Sequence, residues 1–432
     1  MELPVESTAQ KRALLIAAVG ILALLSFQAG RLWLADHRLH SDRVETMARG
    51  AALEPSNADA WDRVGHWRQW DLEISDPQGA LADYRRAVQL DPHSAHYWMD
   101  LASAEEAVGN VAGARDAFEH ARIVYPASAE VAWNYGNFLL RQEDYSEGFA
   151  QIHRALRGDS RLLPLAISRS WRSNRDAGLL LDRVLPANVD AYFEALDFFA
   201  ANHEVDAGIE VWKRLVGLRK SFALSRTFPF FEDLIFEERS ADAKRIWREA
   251  LAAAGLPHED PPGGSLVWDG TFSRDFENGG LGWRWAVLPG VAIDFDSAPP
   301  GYGARSVRID FGGGLNTELD QPVQYVPVEP GRTYHFRAFI RTEGITTERG
   351  MQLIVADPHR PTADKFVSEN FLGSHPWTSV EGNIATGPET HFLWIRLNRM
   401  QSRLFDNKLS GTVWISDLSL HPTSAETGQS FK

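Results

Sequence analysis

Three hydrophobic patterns follow one another along this chain. The first is an unbroken apolar run, Ala13–Ala29, with no charge and only Ser26 and Gln28 as polar members. At about 1.5 Å per helical residue it reaches about 26 Å, a little short of a ~30 Å hydrocarbon core. The run resumes after Arg31 with Leu32, Trp33 and Leu34; an arginine can snorkel, and a tryptophan suits the interface. This predicts a transmembrane helix over 13–35 with a cytoplasmic tail over 1–12. A cleaved signal peptide is the alternative, but no pair of small residues closes the run: Phe27 stands two before Ala29, and Trp33 two before Ala35. The second pattern, over 41–256, places apolar and small residues at helical spacing. The third, over 265–422, alternates with period two, as half-buried strands do. Between them Leu256–Gly264 reads LPHEDPPGG, a linker over 257–264 in which proline and glycine stop the helical pattern. A flexible tail is expected over 423–432.

The helical pattern repeats about every 34 residues. Trp98, Leu101 and Ala102 share one face, Gly109-Asn110 turns the chain, Ala114, Phe118 and Ala121 follow, and Pro126 closes the unit. The next copy has Trp133, Tyr135, Gly136, Gly148, Ile152 and Ala155. Upstream stand Trp61, Val64 and Gly65 with Ala80, Tyr84, Ala87 and Pro92, lengthened by an insert at Asp71–Asp76. Degenerate copies follow at Tyr192, Ala195, Ala207, Val211 and Trp212, then at Phe231, Ala243, Trp247 and Ala250; Leu162–Pro186 is helical without a register. One helix pair cannot bury its apolar face alone, so such units stack. The pattern resembles the tetratricopeptide repeat. That resemblance implies a superhelix whose concave groove, lined by the first helix of each pair, holds a protein segment. The matching positions are Asp59, Asp62, His66, His96, Met99, Ser103, Trp133, Asn137 and Arg141. Asn137 is the foremost, because an amide binds peptide backbone whatever its sequence.

In the third pattern, Val307, Ile309 and Phe311 share a face, as do Tyr334, Phe336, Ala338 and Ile340, and Leu393, Ile395 and Leu397. Strands broken by Gly, Pro and Asp predict an antiparallel sandwich. The opening Val267-Trp268-Asp269-Gly270-Thr271-Phe272, the central Val328–Phe336 and the closing Val413–Leu420 resemble the galactose-binding-like jelly roll, closest to carbohydrate-binding modules of families four and nine. The resemblance implies a glycan ligand and a structural calcium, to which Asp269 and Asp417 would contribute. Sugar binding needs flat apolar faces beside polar groups. Trp285 and Trp394, with Arg396, Asn398, His335 and Arg337 on non-core strand faces, are the candidates; Trp283 and Trp377 are expected in the core. The bland alternative is that Arg337 and Arg396 pair with acids such as Asp310.

Composition narrows the classes. A net charge of −14 with no basic block argues against nucleic acid. The absence of cysteine excludes thiolate chemistry and disulfides. No metalloprotease, nucleophile-elbow or phosphate-loop motif occurs. Glu277, Asp294 and Asp296 are ordinary loop acids, and His203-Glu204 has no metal partner in reach by spacing. The fold class expected is multidomain: transmembrane helix, all-α repeat superhelix, all-β jelly roll. The function expected is not enzymatic. It is a scaffold anchored in the cytoplasmic (inner) membrane with its bulk on the periplasmic side, binding a protein partner and a glycan in envelope or exopolysaccharide assembly. The rivals are a pure protein scaffold whose jelly roll docks protein, and a glycan-processing enzyme.

Overall fold

The computed structural model describes residues 8–71, 75–258, 261–299, 301–362 and 365–423. The start of the expected N-terminal tail, the middle of the Asp71–Asp76 insert, two residues of the linker and nearly all of the expected C-terminal tail lie outside them. The chain runs from an apolar helix through helical repeats to antiparallel sheets.

Helix α1 (Thr8–Leu39) is unbroken, and it is long and apolar enough to cross a membrane. Its side chains from Leu14 to Phe27 are exposed; only Ala35 and Leu39, at its far end, are buried. There α1 packs on α2 (Val44–Leu53), where a Cβ on Gly50 would stand 2.9 Å from the Ala35 carbonyl. The stretch read as a span is thus part of a longer helix whose end joins the repeats.

Helices α3 (Ala58–Trp70) and α4 (Pro77–Leu90), α5 (Ala95–Ala107) and α6 (Val111–Val124), and α7 (Ala129–Arg141) and α8 (Tyr145–Gly158) form three antiparallel pairs. The repeat is written in their caps. Asn57, Ser94 and Ser128 cap the first helices, and Asp76, Asn110 and Asp144 cap the second, each accepting a backbone N–H that the helix cannot satisfy. Small residues sit where helices touch: a Cβ on Gly136 would stand 2.9 Å from Ile152. The indole N–H groups of Trp61 and Trp98 donate to the carbonyls of Pro55 and Pro92, which ties the early large residue to the closing proline. Helix α9 (Leu163–Ser173) and the short α10 (Ala177–Leu179), running into a π turn, form the irregular segment.

This first compact unit ends at Pro186; the second begins at Ala187 and contains both the last helices and the sandwich. The linker marks the change from helix to strand, while the packing boundary falls earlier. The second unit has α11 (Val189–Ala201), α12 (Val205–Gly217), α13 (Phe228–Phe236) and α14 (Ser240–Ala253). Its strands are β1 (Val291–Ser297), β2 (Arg305–Gly312), β3 (Leu319–Pro327), β4 (Thr333–Ile345), β5 (Gln352–Ala356), β6 (Lys365–Val367), β7 (Gly373–Ala385), β8 (Phe392–Arg399) and β9 (Ser410–Pro422). They form antiparallel sheets ordered β1-β2-β9-β4-β7 and β3-β8-β5-β6, with the alternating apolar residues of both facing one core. Helices α13 and α14 lie against this sandwich. Glu232 pairs with Arg284 at 2.8 Å, Glu238 with Arg360 at 2.9 Å, and the Trp247 and Trp268 rings meet edge to face. Gly279 and Gly280 leave room for Phe228 and Trp247, since a Cβ on either would stand within 2.2 Å of those rings.

Candidate functional site

In the first unit α3, α5, α7 and α9 lie side by side as an inner layer. Side chains one repeat apart meet across it: Gln69 donates to Ser103, Asn134 to the Met99 sulfur, and Arg141 forks onto Glu106 at 2.8 and 2.7 Å. Of the expected groove residues, His66 is exposed, Met99 is buried, and Trp133 lies beneath the Arg169 guanidinium at 5.8 Å. Asn137 is buried and donates one amide N–H to the Trp133 carbonyl, which leaves its second N–H and the amide oxygen for a bound backbone. Asn137 and Arg141 line a depression of about 310 Å³ with Leu140, Arg169, Arg172 and Ser173. Arg172 reaches only Ser168, and among the described residues no carboxylate pairs with Arg169 or Arg172. These two arginines lie in the segment without repeat register, so periodicity could not point to them.

The same layer is acidic at its other end. Asp62 on α3 and Asp100 on α5 face each other, with the His96 Nε2 atom 3.7 Å from one and 3.4 Å from the other. Burial first, and then the charge of Asp100, push the Asp62 carboxyl up to about 8; Asp59 adds to the rise. Asp100 is raised by its own burial. The groups around Asp62 are Asp59 and His66 on α3, Tyr84 on α4, and His96, Tyr97 and Asp100 on α5. A carboxyl raised on folding holds its proton more tightly in the folded chain. Its contribution to stability is therefore full below about pH 4 and is lost as pH rises toward 8. In chelator-treated protein, the thermal unfolding temperature of the helical unit is expected to fall between about pH 5 and 8. Asp62→Asn should flatten that fall; an unchanged slope would contradict the assignment.

In the second unit the expected glycan residues fall into separate places. Trp394, Arg396 and Asn398 lie on the outer face of β8, and His335 and Arg337 on the outer face of β4, in the opposite sheet. One sugar cannot touch both groups. Arg396 stacks over the Trp394 ring at 4.0 Å and pairs with Asp320, which also accepts from Asn398. His335 meets Asn383, and Arg337 pairs with Asp417 at 3.0 Å. Asp310 is held instead by Arg308 and Thr412. Trp285 is half-buried against the core. Trp283 is buried as expected, whereas Trp377 is half-exposed and stacks on Tyr302, because the register of β7 on β4 puts it on the outer face of the sheet. Asp269, Arg337 and Asp417 line one depression of about 520 Å³; Asp269 accepts from the backbone of Ser273 and Arg274.

Trp394 is not on an open platform. With Tyr325, Pro358 and His359 it forms one wall of a cleft of about 610 Å³, whose other wall comes from α11, the turn after it and α13 through Asp197, His203, Glu232, Asp233 and Phe236. His203 does have partners there: its Nδ1 atom lies 2.8 Å from Asp233 and 3.9 Å from Glu237, which the next repeat supplies. Local spacing hid them because the chain returns only one repeat later. Burial raises Asp197 and Asp233 above the ordinary carboxylate range.

No protein-family model matches the chain. No curated protein matches it either. Among solved structures, MamA is similar at 14% identity, over 46% of this chain and 92% of that one, with a TM-score of 0.24. YrrB, described as a TPR protein with an unusual peptide-binding site, is similar at 14% identity over 49% of this chain and 94% of that one, also at 0.24. The enzymatically active domain of bacteriophage CBA120 tailspike protein 4 matches at 13% identity over 37% of this chain, with a TM-score of 0.28; the chain spans 21% of that protein's length. The tetratricopeptide-like architecture stands on the helix pairing and repeated caps described above.

Proposed function

We propose that this protein is a membrane-anchored scaffold of the cell envelope. Its helical repeats hold an extended protein segment against the inner layer, with a carboxylate of that segment at Arg169 and Arg172. The observation that carries this reading is the depression in which those two arginines, unpaired with any carboxylate among the described residues, stand beside Asn137 and Arg141. Guanidinium groups bind carboxylates by forked, charge-assisted hydrogen bonds, and a neighbouring amide can take the backbone. Helix α1 supports the anchor by its length, its apolar surface and its exposure; placing the repeats on the periplasmic side rests on the envelope reading. The test is selection of peptides with free C-termini on the full chain in detergent. Selected peptides should lose binding when amidated or when Arg169 becomes Glu. Peptides indifferent to both would overturn the reading.

A second reading, a glycan ligand serving envelope or exopolysaccharide assembly, is favoured by the cleft at Trp394, whose size suits an oligosaccharide. Arg396 covers one face of the indole, so at most one remains for a sugar. The full chain is the object to test, because α11 and α13 form part of that cleft. On a glycan array, Trp394→Ala is expected to remove binding by about tenfold or more, the scale of one lost aromatic contact. Binding unaffected by Trp394→Ala, or none at all, would remove the glycan from the account.

A further inference from the structure

We propose that Asp62, His96 and Asp100 form a site for a divalent cation of the zinc type on the inner layer of the helical repeats. The proposal is independent of any peptide partner. The three side chains offer one imidazole nitrogen and two carboxylate oxygens, all within 4.8 Å of one another. Ligands at ~2.0–2.1 Å around a tetrahedral ion stand about 3.4 Å apart. The two separations from His96 Nε2, 3.4 Å to Asp100 and 3.7 Å to Asp62, are close to that value, so little rearrangement is needed. A mixed nitrogen and oxygen set of this kind suits zinc better than the all-oxygen shells of calcium or magnesium.

A second observation points the same way. The Asp62 side chain is only 10% exposed, and its Oδ1 atom is buried with no hydrogen-bond donor on it. The group facing it is another carboxylate. Among the described residues no lysine or arginine pairs with Asp62 or Asp100. A buried carboxylate oxygen with no donor is costly, and a cation on it removes that cost.

The scaffold around the site is rigid. His96 and Asp100 are one turn apart on α5, Asp62 is presented by the adjacent α3, and His66 stands one turn beyond Asp62, near enough for its charge to act on Asp100. Three protein ligands leave a fourth position for water or a partner's group. The other group of this kind, His203, Asp233 and Glu237, is a less suitable holder: the 2.8 Å contact of His203 with Asp233 is already a hydrogen bond, and Glu237 is distant at 3.9 Å.

The test is calorimetric titration of zinc chloride into the full, tag-free chain in detergent after chelation and dialysis. One zinc per chain is expected, weakened at least tenfold by His96→Ala and by Asp62→Asn, and unchanged by His203→Ala. The His96 side chain is 61% exposed, so His96→Ala leaves the fold intact, as circular dichroism would verify. Absence of zinc binding, binding as tight in His96→Ala and Asp62→Asn as in the parent chain, or binding lost only in His203→Ala would each overturn the proposal.

Discussion

Gly270→Ala is expected to unfold the sandwich. A Cβ at this position would stand 1.9 Å from the Leu418 carbonyl oxygen, which is backbone and cannot swing aside. The two segments are stitched together there: Leu418 donates to the Gly270 carbonyl at 2.9 Å, and Leu266 to the Leu420 carbonyl at 2.8 Å. Separating them opens the core beside Val267, Phe272 and Leu420, all buried. A domain has only ~5–15 kcal/mol of stability to lose, and a backbone clash that also breaks a hydrogen bond and a core contact should exceed about 4 kcal/mol. Differential scanning calorimetry of the variant should lack the transition of the second unit. A transition within a few degrees of the parent would show that the opening and closing segments do not meet as described.

Reversing both groove arginines, Arg169→Glu with Arg172→Glu, is expected to weaken a selected carboxylate peptide about 100-fold or more, about 2.7 kcal/mol. The change removes two charge-assisted donors, each worth ~1.5–3 kcal/mol, and sets two negative charges against the ligand. Both side chains are exposed, so folding should be unaffected. The effect should shrink at high salt, because exposed charges are screened. Affinity measured by fluorescence anisotropy at low and high salt checks both points; a change of less than threefold would exclude the pair from binding.

These two sites differ in how far they could be read from the residues. Gly270 lies in the opening segment that, with the central Val328–Phe336 and the closing Val413–Leu420, carried the resemblance to a jelly roll, and the buried faces of β2, β4 and β8 followed from strict alternation. The repeats were equally visible, because large aromatic residues, small residues and prolines recur at one spacing. Arg169 and Arg172 were not, since α9 breaks that spacing. The clustering of Asp62 with His96 and Asp100, and of His203 with Asp233, was hidden for another reason. Each joins residues one repeat apart, so neighbourhood in space is set by stacking rather than by local spacing. A D-x-x-x-H on α3 followed one repeat later by an H-x-x-x-D on α5 was the available signal. The surroundings of Trp394 were illegible for a third reason: alternation told which face pointed away from the core, but not that α11 and α13 would form the facing wall.

The proposed function turns on a partner segment lying on the inner layer at α7 and α9. The most direct measurement is site-specific photo-crosslinking in the native membrane. A benzoylphenylalanine at Ser173, beside Arg169 and Arg172, is compared with one at Ile123, an exposed position on a second helix. The account predicts a discrete adduct from position 173 that disappears on reversal of Arg169 and Arg172, and none from position 123. Adducts from 123 alone, or adducts from 173 that survive the reversal, would contradict it.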